Sequence, residues 1–94
     1  MTVEIVYSKA SLSFFEKNKQ TLSQDESDAL LIKGIKKLYK LSIESIDIKA
    51  MKGEKGLYRI RKGNVRIVFR VDENGTVIVV SVNAIDFRGN IYKP

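Results

Sequence analysis

The sequence contains no cysteine and no histidine. Those two absences remove the thiolate nucleophile, the disulfide, zinc sites built on such ligands, and the usual acid or base that titrates near neutrality. Any catalysis must come from lysine, arginine, tyrosine, carboxylates or hydroxyls. No ligand cluster suggests a metal, and no cofactor is expected. Apolar runs approaching the roughly 20 residues of a membrane span are also missing. The start, Met1 to Lys9, lacks a basic stretch and an apolar h-region. A cytoplasmic protein with no membrane partner is the expectation. Repeats, low-complexity tracts and linkers are absent too, so residues 1–94 read as one small domain with one core.

What the chain does have is positive charge in one place. There are 17 basic and 11 acidic residues, a formal net charge of +6 and a pI near 9.7. Between Lys52 and Arg70 lie seven basic residues, Lys52, Lys55, Arg59, Arg61, Lys62, Arg66 and Arg70, against one acid, Glu54. That stretch alone carries the whole excess.

The placement of these charges is informative. Leu57 to Arg61 and Val65 to Val71 alternate as two strands around a Lys62-Gly63-Asn64 turn, and alternate residues of a strand share a face. Tyr58, Ile60, Val65, Ile67, Phe69 and Val71 supply an apolar face; Arg59, Arg61, Arg66 and Arg70 project from the other. Like charges on facing strands destabilise a sheet, and a face selected for solubility would mix Glu with Lys. The pattern suits a polyanion. Because the excess lies on strands and not on the polar side of an amphipathic helix, nucleic acid or an acidic protein is favoured over a membrane surface.

The rest of the chain reads in order. Thr2 to Tyr7 alternates as a first strand, suited to a sheet edge. Ser8 offers an N-cap for a helix to about Asn18, with Leu12 and Phe15 as core contacts and Phe14 partly so. Ser23-Gln24-Asp25-Glu26 matches a capping box, and the helix it opens should run to about Leu41 with Leu31, Ile35 and Leu38 inward. Lys33, Lys36, Lys37 and Lys40 fall outside that stripe, as on a solvated face. Ser42 to Ala50 reads as an extended connection, and Met51 to Gly56 as a loop. Asn74-Gly75 signals a turn in which both residues accept positive φ. Thr76 to Val82 then returns with apolar residues on both faces, as a central strand does. The expected fold is α+β: a small antiparallel-rich sheet in the order β-α-α-β-β-β, with two N-terminal helices packed on one face and the arginines on the other.

Lys52-Gly53, the run from Leu57 to Phe69 (LYRIRKGNVRIVF) and the ending Arg88-Gly89-Asn90-Ile91-Tyr92 resemble the RelE/ParE superfamily of type II toxin-antitoxin toxins. The resemblance covers essentially the whole chain, and the central run is its most specific part. For the RelE branch it implies a ribosome-dependent endoribonuclease that cleaves mRNA without a metal, by attack of the ribose 2′-hydroxyl on the adjacent phosphate. The implied partners are the ribosome, mRNA and a cognate acidic antitoxin. Carried over residue by residue, the catalytic group is Arg59, Arg61, Arg66, Arg88 and Tyr92, and Lys52 matches a basic loop residue. Lys52 and the other cations of the basic stretch, Lys55, Lys62 and Arg70, are expected to bind RNA. Arg66 and Arg88 would grip phosphate oxygens bidentately. Tyr92 would act as base, its pKa lowered by neighbouring cations, or stack on a base of the message.

Arginine is too basic to donate a proton, so the general acid is unassigned; Lys52 is the nearest substitute for the lysines that some relatives have at Arg59 and Arg61. Phe87 stands where many relatives have histidine, and Gly89 where many have another basic residue. The alternatives are a ParE-like DNA gyrase inhibitor and a catalytically weak nucleic-acid binder. The ribonuclease reading asks that Arg59, Arg61 and Arg66 be lined up on the open face. Guanidinium groups scattered, or each locked onto a carboxylate of the same chain, would leave only the fold.

Overall fold

The computed structural model describes residues 2–87. Strand β1 (Thr2–Tyr7) leads into helices α1 (Lys9–Lys17) and α2 (Gln24–Leu38), followed by strands β2 (Asp47–Ala50), β3 (Leu57–Lys62), β4 (Val65–Asn74) and β5 (Val77–Phe87). The sheet order is β1-β5-β4-β3-β2. β2, β3, β4 and β5 pair antiparallel in succession, and β5 closes on β1 in parallel. The parallel pair follows from the helices: they carry the chain across one face, so the last strand can return beside the first. The α+β arrangement expected from sequence is therefore present, with β1 on an edge and the two-sided apolar strand β5 inside the sheet.

The caps form as their residues dictate. Ser8 Oγ accepts the Ser11 N–H at 3.1 Å, and the Ser23–Glu26 box closes with reciprocal bonds of 3.0 and 3.1 Å. Helix α2 stops at Leu38, short of the expected Leu41, because Lys40 turns left-handed at φ 59°. The Lys40 N–H then donates to the Lys37 carbonyl (3.1 Å) and the Leu41 N–H to the Lys36 carbonyl (2.7 Å). This is the Schellman ending, with lysine in the position glycine normally takes.

The core joins Leu31 and Ile35 of α2, Phe14 and Phe15 of α1, and Ile60, Val65, Ile67, Phe69, Ile78, Val80, Val82 and Ile85 of the sheet. Leu12, expected to be inward, is exposed, and Phe14 is fully in the core. The buried stripe of α1 runs through Ser11, Phe14 and Phe15, which share a face that Leu12 does not. Gly34 lets α2 lie close to the sheet: a Cβ there would stand 2.9 Å from Ile60 Cδ1 and 3.1 Å from Ile48 Cδ1.

Three details differ from the sequence reading and shape the open face. The connection over 42–50 contains β2, which adds a fourth strand after the helices and extends the sheet beyond β3. The second turn is Gly75-Thr76, with Asn74 at the end of β4 and positive φ at Gly75 alone. β5 continues to Phe87 and carries a bulge: Phe69 pairs with Val82 but Val68 pairs with Ala84, so Asn83 is an extra residue. The bulge shifts the alternation by one. Val80 and Val82 are buried before it and Ile85 after it, which sends Asp86 to the side opposite the helices.

Candidate nucleic-acid interface

The face of the sheet that the helices leave uncovered is built in rows by the pairing register. Nearest the β3–β4 turn, one row reads Asp86, Arg66, Arg61, Asp47 across β5, β4, β3 and β2. The next reads Ala84, Val68, Arg59, Lys49, and beyond the bulge comes Val6, Ser81, Arg70, Leu57. A further row carries Glu4, Val79 and Asp72. The arginines do share one face, as the alternation predicts, and Arg61 and Arg66 are direct cross-strand neighbours.

The same face also holds acids. Arg59 Nη1 donates to Asp47 Oδ1 at 2.8 Å, and Arg61 Nε to Asp47 Oδ2 at 2.6 Å. One carboxylate thus joins two guanidinium groups, and the Arg59 hydrogen bond, with Arg61 adding to it, holds the Asp47 pKa down at about 2. Asp86 stands opposite Arg66 in register, and its Oδ1 accepts the Phe87 N–H at 2.7 Å. Arg70 Nη2 lies 3.6 Å from Glu54 Oε2, and its Nη1 donates to the Lys55 carbonyl at 3.0 Å. The expectation of a bare guanidinium layer is therefore corrected: Arg59, Arg61 and Arg66 are lined up on one face, but Arg59 and Arg61 are both locked onto Asp47 and Arg66 stands opposite Asp86. The ribonuclease reading keeps the alignment it asked for and loses the open guanidinium groups at Arg59 and Arg61. Arg70 braces the loop before β3.

That loop is pinned at both ends. The Met51 N–H donates to the Leu57 carbonyl and the Val71 N–H to the Gly56 carbonyl, each at 2.9 Å. Gly56 adopts φ 80°, a left-handed conformation that side chains rarely take, so this turn of the loop favours glycine, while a Cβ there would meet the Val71 carbonyl at an ordinary contact distance of 3.4 Å. Lys52 and Lys55 are exposed on this loop, and Lys62 is exposed at the β3–β4 turn. Lys52 and Lys55 carry positive charge on long, rotatable stems, whereas Lys62 pairs with the buried Val65 and so lies on the helix side of the sheet, where its charge acts on Glu26 of α2. Arg88 and Tyr92 lie outside the described residues.

Among the lysines of α2, Lys33, Lys36 and Lys40 are exposed as expected, but Lys37 is half-buried and donates to the Ile46 carbonyl at 2.8 Å. It ties the helix to the segment that delivers β2. The residue that sequence reasoning missed is Asp47. Its signal was the alternation of Ile46, Ile48 and Ala50, which leaves Asp47 and Lys49 on the opposite side. Asp86 gave no such signal, because an unbroken alternation would put it inward. Among the described residues there is no group of three or more His, Cys, Asp or Glu that could hold a metal, and no helix long and apolar enough to cross a membrane.

No family model matches the chain, and no curated protein matches it. Solved structures do. A chain of the RelB-RelE antitoxin-toxin complex from Methanococcus jannaschii is similar at 26% identity over 93% of this chain and 94% of that one, with a TM-score of 0.53. A YoeB/ParE toxin from Agrobacterium tumefaciens is similar at 18% identity, covering 90% and 98%, with a TM-score of 0.60. A chain of the DinJ-YafQ toxin-antitoxin complex from E. coli is similar at 8% identity, covering 99% and 100%, with a TM-score of 0.63. Matched almost end to end by all three, the chain has the fold of the RelE/ParE-like toxin superfamily.

Proposed function

We propose that this protein is the toxin of a type II toxin-antitoxin system and that it cleaves mRNA on the ribosome. The observation that carries the reading is the alignment of Arg59, Arg61 and Arg66 on the sheet face opposite the helices, with Arg61 and Arg66 as direct cross-strand neighbours. The similarity to chains of solved toxin-antitoxin complexes supports it, and so does the net charge of +6, which suits both RNA and an acidic antitoxin.

In this mechanism the 2′-hydroxyl attacks the adjacent phosphate, and positive charge must meet the crowded phosphorane that forms. Arg66 is the principal phosphate ligand, aided by Arg88. Arg61 and Arg59 lie alongside, and Lys52, Lys55 and Arg70 hold the RNA backbone. Tyr92 serves as base or stacking platform, and Lys52 as the proton donor to the departing 5′-oxygen.

The test is induction of the protein in bacteria, with growth followed and message ends mapped. Codon-periodic cuts that require translating ribosomes are expected; gyrase-linked DNA breaks, or unimpaired growth, would overturn the proposal. Arg66→Ala and Arg88→Ala should each relieve growth arrest while the protein stays folded. Full toxicity in both variants would remove the site assignment.

A further inference from the structure

The Asp47 contact has the form of a bound anion. Its two oxygens each take a different guanidinium from the same strand, at 2.8 and 2.6 Å. The two non-bridging oxygens of a phosphodiester could make the same contacts, and charge-assisted bonds of this length are among the stronger polar interactions available. The members of the cluster are not equally enclosed. The side chains are 11% exposed for Arg59, 25% for Arg61 and 39% for Asp47. The carboxylate is the outer layer, so it can swing away without unpacking the arginine stems.

Its strand is a light support. β2 has four residues and, among the described residues, is hydrogen-bonded to the sheet through β3 alone. Ile48, packed beneath Gly34, keeps the strand in place, so the motion required is a rotation of one side chain and not release of an element. We infer that Asp47 is an internal competitor for the anion position of Arg59 and Arg61, and that RNA binds there by exchange, the phosphodiester arriving as the carboxylate leaves.

The inference rests on the RNA-binding reading above and adds a selectivity device to it. A single anion gains little by displacing a carboxylate already held by two arginines. A strand that brings several phosphates to the face at once gains at Arg66 and the loop lysines, and so can drive the exchange. The clamp thereby discriminates against isolated anions and favours a polyanion in register with the rows.

The test is fluorescence anisotropy of a short labelled single-stranded oligoribonucleotide, titrated with wild-type protein, Asp47→Asn, Arg59→Gln/Arg61→Gln, the triple variant and Arg66→Ala over a range of salt. Asp47→Asn is isosteric, and thermal melting confirms that each variant is folded. Asp47→Asn should bind about tenfold tighter, and the salt dependence should steepen by about 0.7 for each further phosphate that the protein neutralises. The tighter binding should vanish in the triple variant. Unchanged or weaker binding by Asp47→Asn, or tighter binding that persists without the two arginines, overturns the competition. If that occurs while Arg66→Ala still weakens binding, the RNA-binding reading survives alone. If neither the wild type nor any variant binds RNA at low salt, both are overturned.

Discussion

Replacing Gly34 by alanine sets two effects of opposite sign against each other at the joint between helix and sheet. Alanine is favoured over glycine within a helix by about 1 kcal/mol. The added Cβ, however, would stand 2.9 Å from Ile60 Cδ1 and 3.1 Å from Ile48 Cδ1. Ile48 is half-buried and can give way, whereas Ile60 is fully enclosed in the core. Overpacking of such a site costs about 1–3 kcal/mol. The steric term should win, leaving Gly34→Ala less stable by about 1 kcal/mol, or roughly 4–8 °C in Tm for a domain of this size.

Ile60→Val removes the atom that clashes and should cost about 0.5–1.5 kcal/mol by itself. In the double variant the clash with Ile60 is gone, so the combined loss should fall short of the sum by the steric cost of about 2 kcal/mol, a coupling energy of the kind neighbouring residues show. Urea denaturation of the wild type, both single variants and the double variant measures every corner of this cycle. A Gly34→Ala protein more stable than wild type, or strictly additive losses, would refute the close approach of α2 to β3. The result bears on the site as well, because Ile60 lies between Arg59 and Arg61 on the strand that presents them.

Two further outcomes follow from local geometry. Lys40 holds φ 59° at the end of α2, where a side chain is strained and glycine is not; Lys40→Gly should raise stability by about 0.5–1 kcal/mol in thermal melts, and a loss would show that the lysine side chain contributes more than its backbone costs. Asp47 has a folded pKa of about 2 against an ordinary 3.8. A carboxylate depressed on folding contributes fully above its unfolded pKa, and that contribution fades as pH falls through the folded value. The stability difference between wild type and Asp47→Asn should therefore hold above about pH 5 and shrink progressively toward pH 2; a difference that does not change across that window would refute the ion pair.

Much of this protein could be read locally. The Ser23–Glu26 cap depends on side chains three residues apart, and it forms. The alternation of β3 and β4 sorts Tyr58, Ile60, Ile67 and Phe69 from the arginines because a strand exposes successive residues to opposite faces. The two-sided apolar run of β5 foretold its place inside the sheet. The resemblance of the central hairpin to RelE/ParE toxins pointed to the fold that the solved structures match.

What escaped was the set of partners the arginines keep. Arg59 and Arg61 meet Asp47 because β2 pairs antiparallel with β3, a register that no local pattern states. Asp86 reaches the open face because a single extra residue at Asn83 shifts the alternation of β5. The end of α2 likewise turned on Lys40 adopting a backbone conformation for which its residue type is no guide. Sequence by itself determined which side chains are charged and on which face of their own strand they lie, since that follows from covalent geometry and a two-residue period. Whether those charges face solvent or one another was decided by the tertiary structure, because an ion pair depends on which strands become neighbours and at what offset.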